Sequence, residues 1–224
     1  MSTIAPDHAQ GASPATTNDV VHIRRRTIDT VLVGAGALMT VVFLVAGALL
    51  LWGSNFADDY VGRELGSQNI SFPAEAALVE DGRTDLVKYA DEQVTTGQEA
   101  EEYASYIDGH LQDVAGGATY ADLGTPEREA RTAVQAATDE GADEATIAGL
   151  QATYDEVSAQ RNTLFKGETL RGLLLTSYAW ATVGTIAGYA AWAAFAAAVR
   201  MGVLVALGLR HRHQLVTGST VSAT

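Results

Sequence analysis

Residues 30–52 read TVLVGAGALMTVVFLVAGALLLW, and not one of these 23 residues is charged. A helix rises about 1.5 Å per residue, so the stretch can cross the roughly 30 Å hydrocarbon core of a bilayer. It is longer than the ~7–15 apolar residues in the core of a cleaved signal peptide. We therefore predict an uncleaved transmembrane helix over residues 30–52.

A second apolar block begins at Leu173 and is uncharged as far as Val199. Arg200 interrupts it, the apolar MGVLVALGL follows, and a basic RHRH segment ends it. Because no Pro or polar turn cluster in residues 173–209 offers a hairpin, one further span over residues 173–199 is favoured over two. Residues 200–224 are predicted to form a juxtamembrane helix and a cytoplasmic tail, and the helix either continues the span or lies at the interface.

Charge is sorted along the chain, whose formal net charge is −13. From Gly53 to Glu168 there are 24 acidic and 7 basic residues, whereas the remainder has 3 acidic and 7 basic. Basic residues beside a span mark its cytoplasmic side. Both termini are therefore predicted to be cytoplasmic in a multi-pass protein of the plasma membrane, with residues 1–29 a disordered tail; the basic residues are Arg24, Arg25, Arg26, Arg210 and Arg212.

The region between the spans, residues 53–172, is predicted to be an extracytoplasmic bundle of four or five helices. The first span should continue as a helix to about Ser67, where SQNISFP breaks it, because the residue before Pro73 avoids helical geometry. Further helices are expected from Thr84 to about Thr96, through QEAEEYASYIDGHLQDV, from Thr125 to about Thr138, and from Asp143 toward the membrane. The fold class is an all-α membrane protein.

Candidate chemistry is sparse. The chain has no Cys, and His110 is the only His between the spans, so no familiar zinc motif is present. His110 is interpreted as a boundary or surface residue. The acidic DEGADE segment, residues 139–144, lacks the spacing of a calcium loop and is interpreted as a helix end, a turn and a cap. We expect no catalytic residues, no metal and no cofactor, and the acidity disfavours nucleic acid as a partner.

Small residues mark helix-packing positions in both spans. Gly184 and Gly188 form a GxxxG match, which permits close approach of helix backbones. The two spans of one chain packing on each other is one interpretation, and contact with another membrane protein or a second copy is the other. The remaining helix-packing candidates are Ala181, Ala191, Gly34 and Gly36.

The segment KGETLRG, residues 166–172, precedes the second apolar block. Lys166, Glu168 and Arg171 are predicted to form a collar at the membrane interface, where Glu168 and Arg171 are spaced to pair on a helix. A partner-docking seam is the alternative. The aromatic anchors expected at this interface are Trp52, Tyr178 and Trp180. Ile70 and Phe72 are interpreted as residues that fill the core beneath a turn, with a docking loop as the alternative.

Two segments at the membrane borders carry a resemblance: FADDYVGRELGSQNISFP after the first span and TLFKGETLRGLLLTSYAWATVGTIAGYAA entering the second. Here the chain resembles an uncharacterised family of two-span membrane proteins of actinobacteria. The resemblance implies the same topology and no particular activity. The expected function is that of a non-enzymatic accessory or scaffold subunit in a larger membrane or envelope complex, in contact with lipid and another membrane protein. An extracytoplasmic sensor or ligand-binding module that signals through a separate partner is the alternative.

Overall fold

The computed structural model describes the backbone of residues 17–221 and the side chains of residues 27–212. Two of its helices are long and apolar enough to cross a membrane. Within the described residues there is no strand, only an isolated bridge between Ser71 and Gln93, so the predicted all-α class is confirmed. The elements are α1 (Thr17–Gln68), α2 (Glu75–Glu80), a 3-10 helix (Thr84–Tyr89), α3 (Gly97–Val114), α4 (Gly124–Asp139) and α5 (Glu144–Val221).

The chain divides into two compact units. One contains α1 up to Ala48 and α5 from Ala191 onward, and we call it the hairpin unit. The other contains residues Leu49–Ala190, and we call it the bundle unit.

The core of the bundle unit collects apolar side chains from almost every one of its helices. Leu78 of α2, Leu86 of the 3-10 helix and Ala100 of α3 are fully buried. Phe72, which is 3 % exposed, stacks on Tyr89 and meets the edge of Tyr103. The other buried members are Val61, Leu65, Val94, Ala104 and Leu174. Leu174 lies in the apolar block assigned to the membrane by sequence, so the buried core extends past the predicted domain boundary between residues 172 and 173.

Local sequence signals explain several helix ends. α1 stops at Gln68 because Asn69 takes a left-handed φ of 54°, close to the predicted end at Ser67. Thr96 caps α3: its hydroxyl accepts from the Glu99 N–H, and the Glu99 carboxylate accepts from the Thr96 N–H. The DEGADE turn is confirmed. α4 ends at Asp139, Gly141 has a φ of 70°, and the Asp143 carboxylate caps the first turn of α5 through Thr146.

Other predicted boundaries are wrong. The helix expected from Thr84 to Thr96 is a 3-10 helix that ends at Tyr89, and α2 before it was not predicted. Thr125 does not cap α4, whose N-cap is Leu123. Both elements before α3 are only 6 residues long, too short for an amphipathic period to stand out.

The hairpin unit is an antiparallel pair of helices. A Cβ placed on Gly47 would lie 2.8 Å from the Phe195 ring, and one on Gly36 would lie 2.8 Å from Val205. Contacts continue from Gly208 to Val33, so residues 200–209 extend α5 along α1. α1 begins at Thr17, inside the predicted tail of residues 1–29; residues 1–16 and the side chains of Arg24, Arg25 and Arg26 lie outside the described part.

Candidate functional site

One face of α5 in the bundle unit is packed closely against the other helices. A Cβ on Gly184 would lie 2.9 Å from the Ala57 Cβ, and one on Gly188 would lie 2.9 Å from Ser54 Oγ. Ala181 contacts Gly97, the first residue of α3. The GxxxG glycines therefore contact α1 of the same chain, at residues just beyond the predicted end of the first span at Trp52.

The opposite face of α5 in the same unit is apolar and uncovered. Leu173 is 62 % exposed, Trp180 is 59 % exposed and Val183 is 56 % exposed. A shallow open groove runs along this side. We define the α5 apolar face as Leu173, Leu175, Thr176, Ala179, Trp180, Val183 and Ile186.

Charged residues of α1 lie at the same level along the bundle unit as this apolar face. A Cβ on Gly184 would be 3.5 Å from Asp58 Oδ1. Asp59, Arg63 and Glu64 follow within two turns of α1, and all four charged side chains are exposed. Arg63 and Glu64 form only a long ion pair of 3.8 Å. Apolar residues of α5 and charged residues of α1 therefore share one level of the bundle unit.

The predicted membrane collar belongs to the bundle. A Cβ on Gly167 would be 2.8 Å from Leu111 Cδ1, which places the segment directly against α3. Arg171 donates to Glu168 at 3.2 Å, as the spacing predicts, and also pairs with Asp108 of α3 at 3.4 Å. Glu168 and Arg171 thus lie where α3 and α5 meet, with Lys166 next to Gly167 in the same helix, and their position at a membrane interface stays a prediction. The contact between Arg171 and Asp108 was not predictable from sequence, because the two residues are 63 positions apart and no local pattern links them.

The three predicted aromatic anchors lie in different surroundings in the structure. Tyr178 packs at the start of α3, because its Cα would be 3.3 Å from a Cβ on Gly97. Trp180 lies on the α5 apolar face. Trp52 is exposed and begins a stacked row with Phe56 and Tyr60 along α1.

The remaining predicted site residues have varied surroundings. Ile70 packs against the core that holds Phe72, so the pair fills the interior beneath the turn. Ala191 is fully buried in the hairpin unit, Gly36 contacts Val205, and Gly34 has open space around it. Arg210 and Arg212 are exposed near the end of α5.

His110 lies in a small polar cluster on the bundle surface. Its Nε2 is 3.8 Å from Asp81 Oδ2, and its ring lies 4.5 Å from that of Tyr106. Tyr106 donates its hydroxyl to the same Asp81 oxygen at 3.0 Å. Burial and the Asp81 carboxylate raise the pKa of Tyr106 to about 12, so its hydroxyl stays protonated at neutral pH.

In this cluster His110 has one carboxylate next to it, that of Asp81. A general acid–base site would be better served by two carboxylates that converge on the imidazole. No group of three or more metal-ligating side chains occurs among the residues whose side chains are described. The surface with the clearest functional character is therefore the α5 apolar face. Comparisons with protein-family models, with curated proteins and with solved structures found no match to the chain.

Proposed function

We propose that the chain is a non-enzymatic, two-span membrane protein that serves as an accessory or scaffold subunit, and that it binds a partner protein through the α5 apolar face. The observation that carries the proposal is an exposed apolar face at the level of exposed charges on α1. Contiguous exposed apolar surface of this kind marks sites of protein or membrane contact.

The charged residues of α1 indicate that a protein, and not lipid, contacts the α5 apolar face. If residues 173–199 crossed the bilayer, Asp58, Asp59, Arg63 and Glu64 would lie in the hydrocarbon beside them. Asp58 and Asp59 would be near the centre of such a span, where each charged residue costs about 2.5–3.5 kcal/mol, so these two alone would cost about 5 kcal/mol or more. A span over residues 187–209 replaces these four charges with Arg200 alone, and we therefore place the second span there.

Further features support this position. In the bundle unit, exposed Trp52 of α1 and exposed Tyr189 of α5 suit the outer interface, where amphipathic aromatic rings accumulate. Arg210 and Arg212 follow the proposed span, as expected for its cytoplasmic end. The acidic bundle then lies outside the cytoplasm and both termini lie within it, in the plasma membrane.

Single cysteines test the placement, since the natural chain has none. Ser67→Cys should react with a membrane-impermeant thiol reagent in intact cells, whereas Arg212→Cys should react only after permeabilisation. Leu173→Cys, which a bound partner would cover in cells, should react in the purified chain reconstituted in vesicles. Leu44→Cys, in the hydrocarbon, should resist labelling under both conditions. Protection of Leu173→Cys together with Leu44→Cys, in a chain purified away from partners and reconstituted in vesicles, would refute the proposed border.

Polar substitution tests the docking surface. Val183→Asp should abolish the large complex seen after gentle detergent extraction, while insertion and thermal stability stay normal. Val79→Asp is the matched control, because Val79 is also an exposed bundle valine but lies on α2. The proposal fails if the V183D chain keeps its wild-type complex, or if the wild-type chain runs only as a bare monomer at native levels. A complex made only of copies of this chain would replace the accessory role with self-assembly.

A further inference from the structure

Arg200 is an exposed basic residue in the middle of the helix pair that forms the hairpin unit. On one side of it along α5, Phe195 packs on Gly47, and on the other side Gly202 contacts Thr40. The side chains around it on its own helix are apolar and exposed, including Val199, Val203 and Leu204. Arg200 therefore projects from an apolar surface at the level of α1 residues 40–47.

That level is far from both ends of the apolar part of α1. Thr40 is 10 residues from Thr30 and 12 residues from Trp52, which corresponds to about 15 Å and 18 Å along the helix axis. An arginine side chain is too short to carry its guanidinium over half of a ~30 Å hydrocarbon core. Snorkelling alone does not return this charge to water.

The described residues supply no counter-charge. Arg200 takes part in no ion pair, hydrogen bond or ring contact among side chains 27–212. Among residues 27–48 and 191–212, the part of the hairpin unit whose side chains are described, the single carboxylate belongs to Asp29, 11 residues from Thr40 and so about 17 Å away along α1. An unpaired charge at this depth lowers the insertion equilibrium about 100-fold, and a partner that supplies a counter-charge would remove this cost.

We propose that Arg200 forms an intramembrane ion pair with an Asp or Glu carboxylate on a transmembrane helix of a different protein. Guanidinium and carboxylate match in geometry and charge, and the pairing removes both charges from the hydrocarbon. A second copy of this chain would place another Arg200 cation nearby, so charge favours a distinct protein. The inference rests on the proposed membrane placement and adds a second contact, inside the bilayer, to the docking proposed for the bundle unit.

Depth is tested first, with Arg200→Cys in the full chain. The new thiol should resist an impermeant reagent from either side of the membrane, as Leu44→Cys does, while Arg212→Cys reacts from the cytoplasm. Labelling of Arg200→Cys as fast as Arg212→Cys would overturn the inference. It would also contradict the proposed span over residues 187–209, whereas docking through the α5 apolar face is probed separately by Val183→Asp.

Pairing is tested with three variants of the full chain expressed at native levels. Arg200→Leu should reduce the copurified partner roughly 30-fold or more, because it leaves a buried carboxylate unpaired. Arg200→Lys should retain most of the partner, and Arg210→Leu is the matched control that should retain all of it. Membrane insertion of Arg200→Leu should be normal or improved, which separates lost pairing from misfolding.

The identity of the pair is then fixed by charge exchange. The partner retained by the wild-type chain and lost by Arg200→Leu should have a carboxylate within an apolar span. Neutralising that carboxylate should reproduce the loss, and exchanging the two charges between the chains should restore the complex. The inference fails if Arg200→Leu keeps its partner, if the partner has no such carboxylate, if exchange restores nothing, or if only copies of this chain associate. Loss with Arg200→Leu but not with Val183→Asp would instead retain the ion pair and refute docking through the α5 apolar face.

Discussion

Replacing Gly167 with alanine tests whether the charged segment before the second apolar block packs against α3. A Cβ at this position would lie 2.8 Å from Leu111 Cδ1 and 3.0 Å from its Cγ, and Leu111 is buried. Gly172, in the same helix, has nothing within 4 Å of its Cβ position. The two glycines share the helical backbone and differ in what an added methyl group meets.

The magnitudes follow from this difference. In both variants alanine removes the penalty of a helical glycine, a gain of about 0.5–1 kcal/mol in the free energy of unfolding. Gly167→Ala must also displace Leu111, and overpacking costs about 1–3 kcal/mol. Because the helical gain is common to both, Gly167→Ala should be less stable than Gly172→Ala by about 1–3 kcal/mol.

Thermal unfolding of the full chain in mild detergent, followed by tryptophan fluorescence, measures the difference. For a chain of this size 1 kcal/mol moves the midpoint by about 2–4 °C, so the two midpoints should differ by about 2–12 °C. Adding Leu111→Ala to Gly167→Ala should cost less than the sum of the two single changes, since the new methyl group then enters space that Leu111 vacated. Equal midpoints for Gly167→Ala and Gly172→Ala would refute close packing of α3 on this segment.

Three further predictions concern the bundle unit. Phe72→Ala should lower the free energy of unfolding by about 3–5 kcal/mol, measured by thermal melting, because it empties the centre of the core; a loss below 1 kcal/mol would contradict the burial of that ring. Burial raises the pKa of Glu99, but hydrogen-bond donors on Thr95 and Thr96 outweigh it and hold that pKa below its ordinary 4.5. The stability that the ionised Glu99 contributes is therefore complete above pH 4.5 and is lost as the pH falls through the lower folded-state pKa. Thr96→Ala should itself cost about 1 kcal/mol and should reduce this loss of stability at acid pH, as measured by thermal melts across pH 3–6. Arg161→Lys should destabilise the chain although it keeps the charge, because the guanidinium both pairs with Glu127 at 2.6 Å and covers the Tyr120 ring at 4.1 Å; unchanged melting would refute a role for its planar shape.

The features predicted well from sequence are those with local causes. The end of α1 depends on Asn69 and the Phe72-Pro73 pair, and the turn before α5 depends on Gly141 and the Asp143 cap. Each of these residues determines the backbone conformation only within a few positions along the chain. The helical fold class follows in the same way from periodic apolar positions along the chain.

The proposed border of the second span was not predictable from sequence, because it rests on contacts between distant residues. Apolar side chains such as those of Leu174 and Ala181 suit a protein core and lipid equally well. An uncharged run of sequence therefore does not show where the protein core ends and the membrane begins. Their burial against α1 and α3 makes them part of the bundle unit. Arg171 was interpreted as an interfacial residue for the same reason, since its partner Asp108 lies on another helix.

Placing Leu174 in the core of the bundle unit has a consequence for biosynthesis. Val61, another member of that core, is made 113 residues earlier, an interval of about 6–23 s at ordinary rates of translation. Throughout that interval the emerging domain lacks a piece of its interior, although α2, α3 and α4 are already complete. In the proposed membrane placement, the bundle would therefore close only after synthesis of the second apolar segment has begun, so its folding outside the membrane would wait for insertion to start.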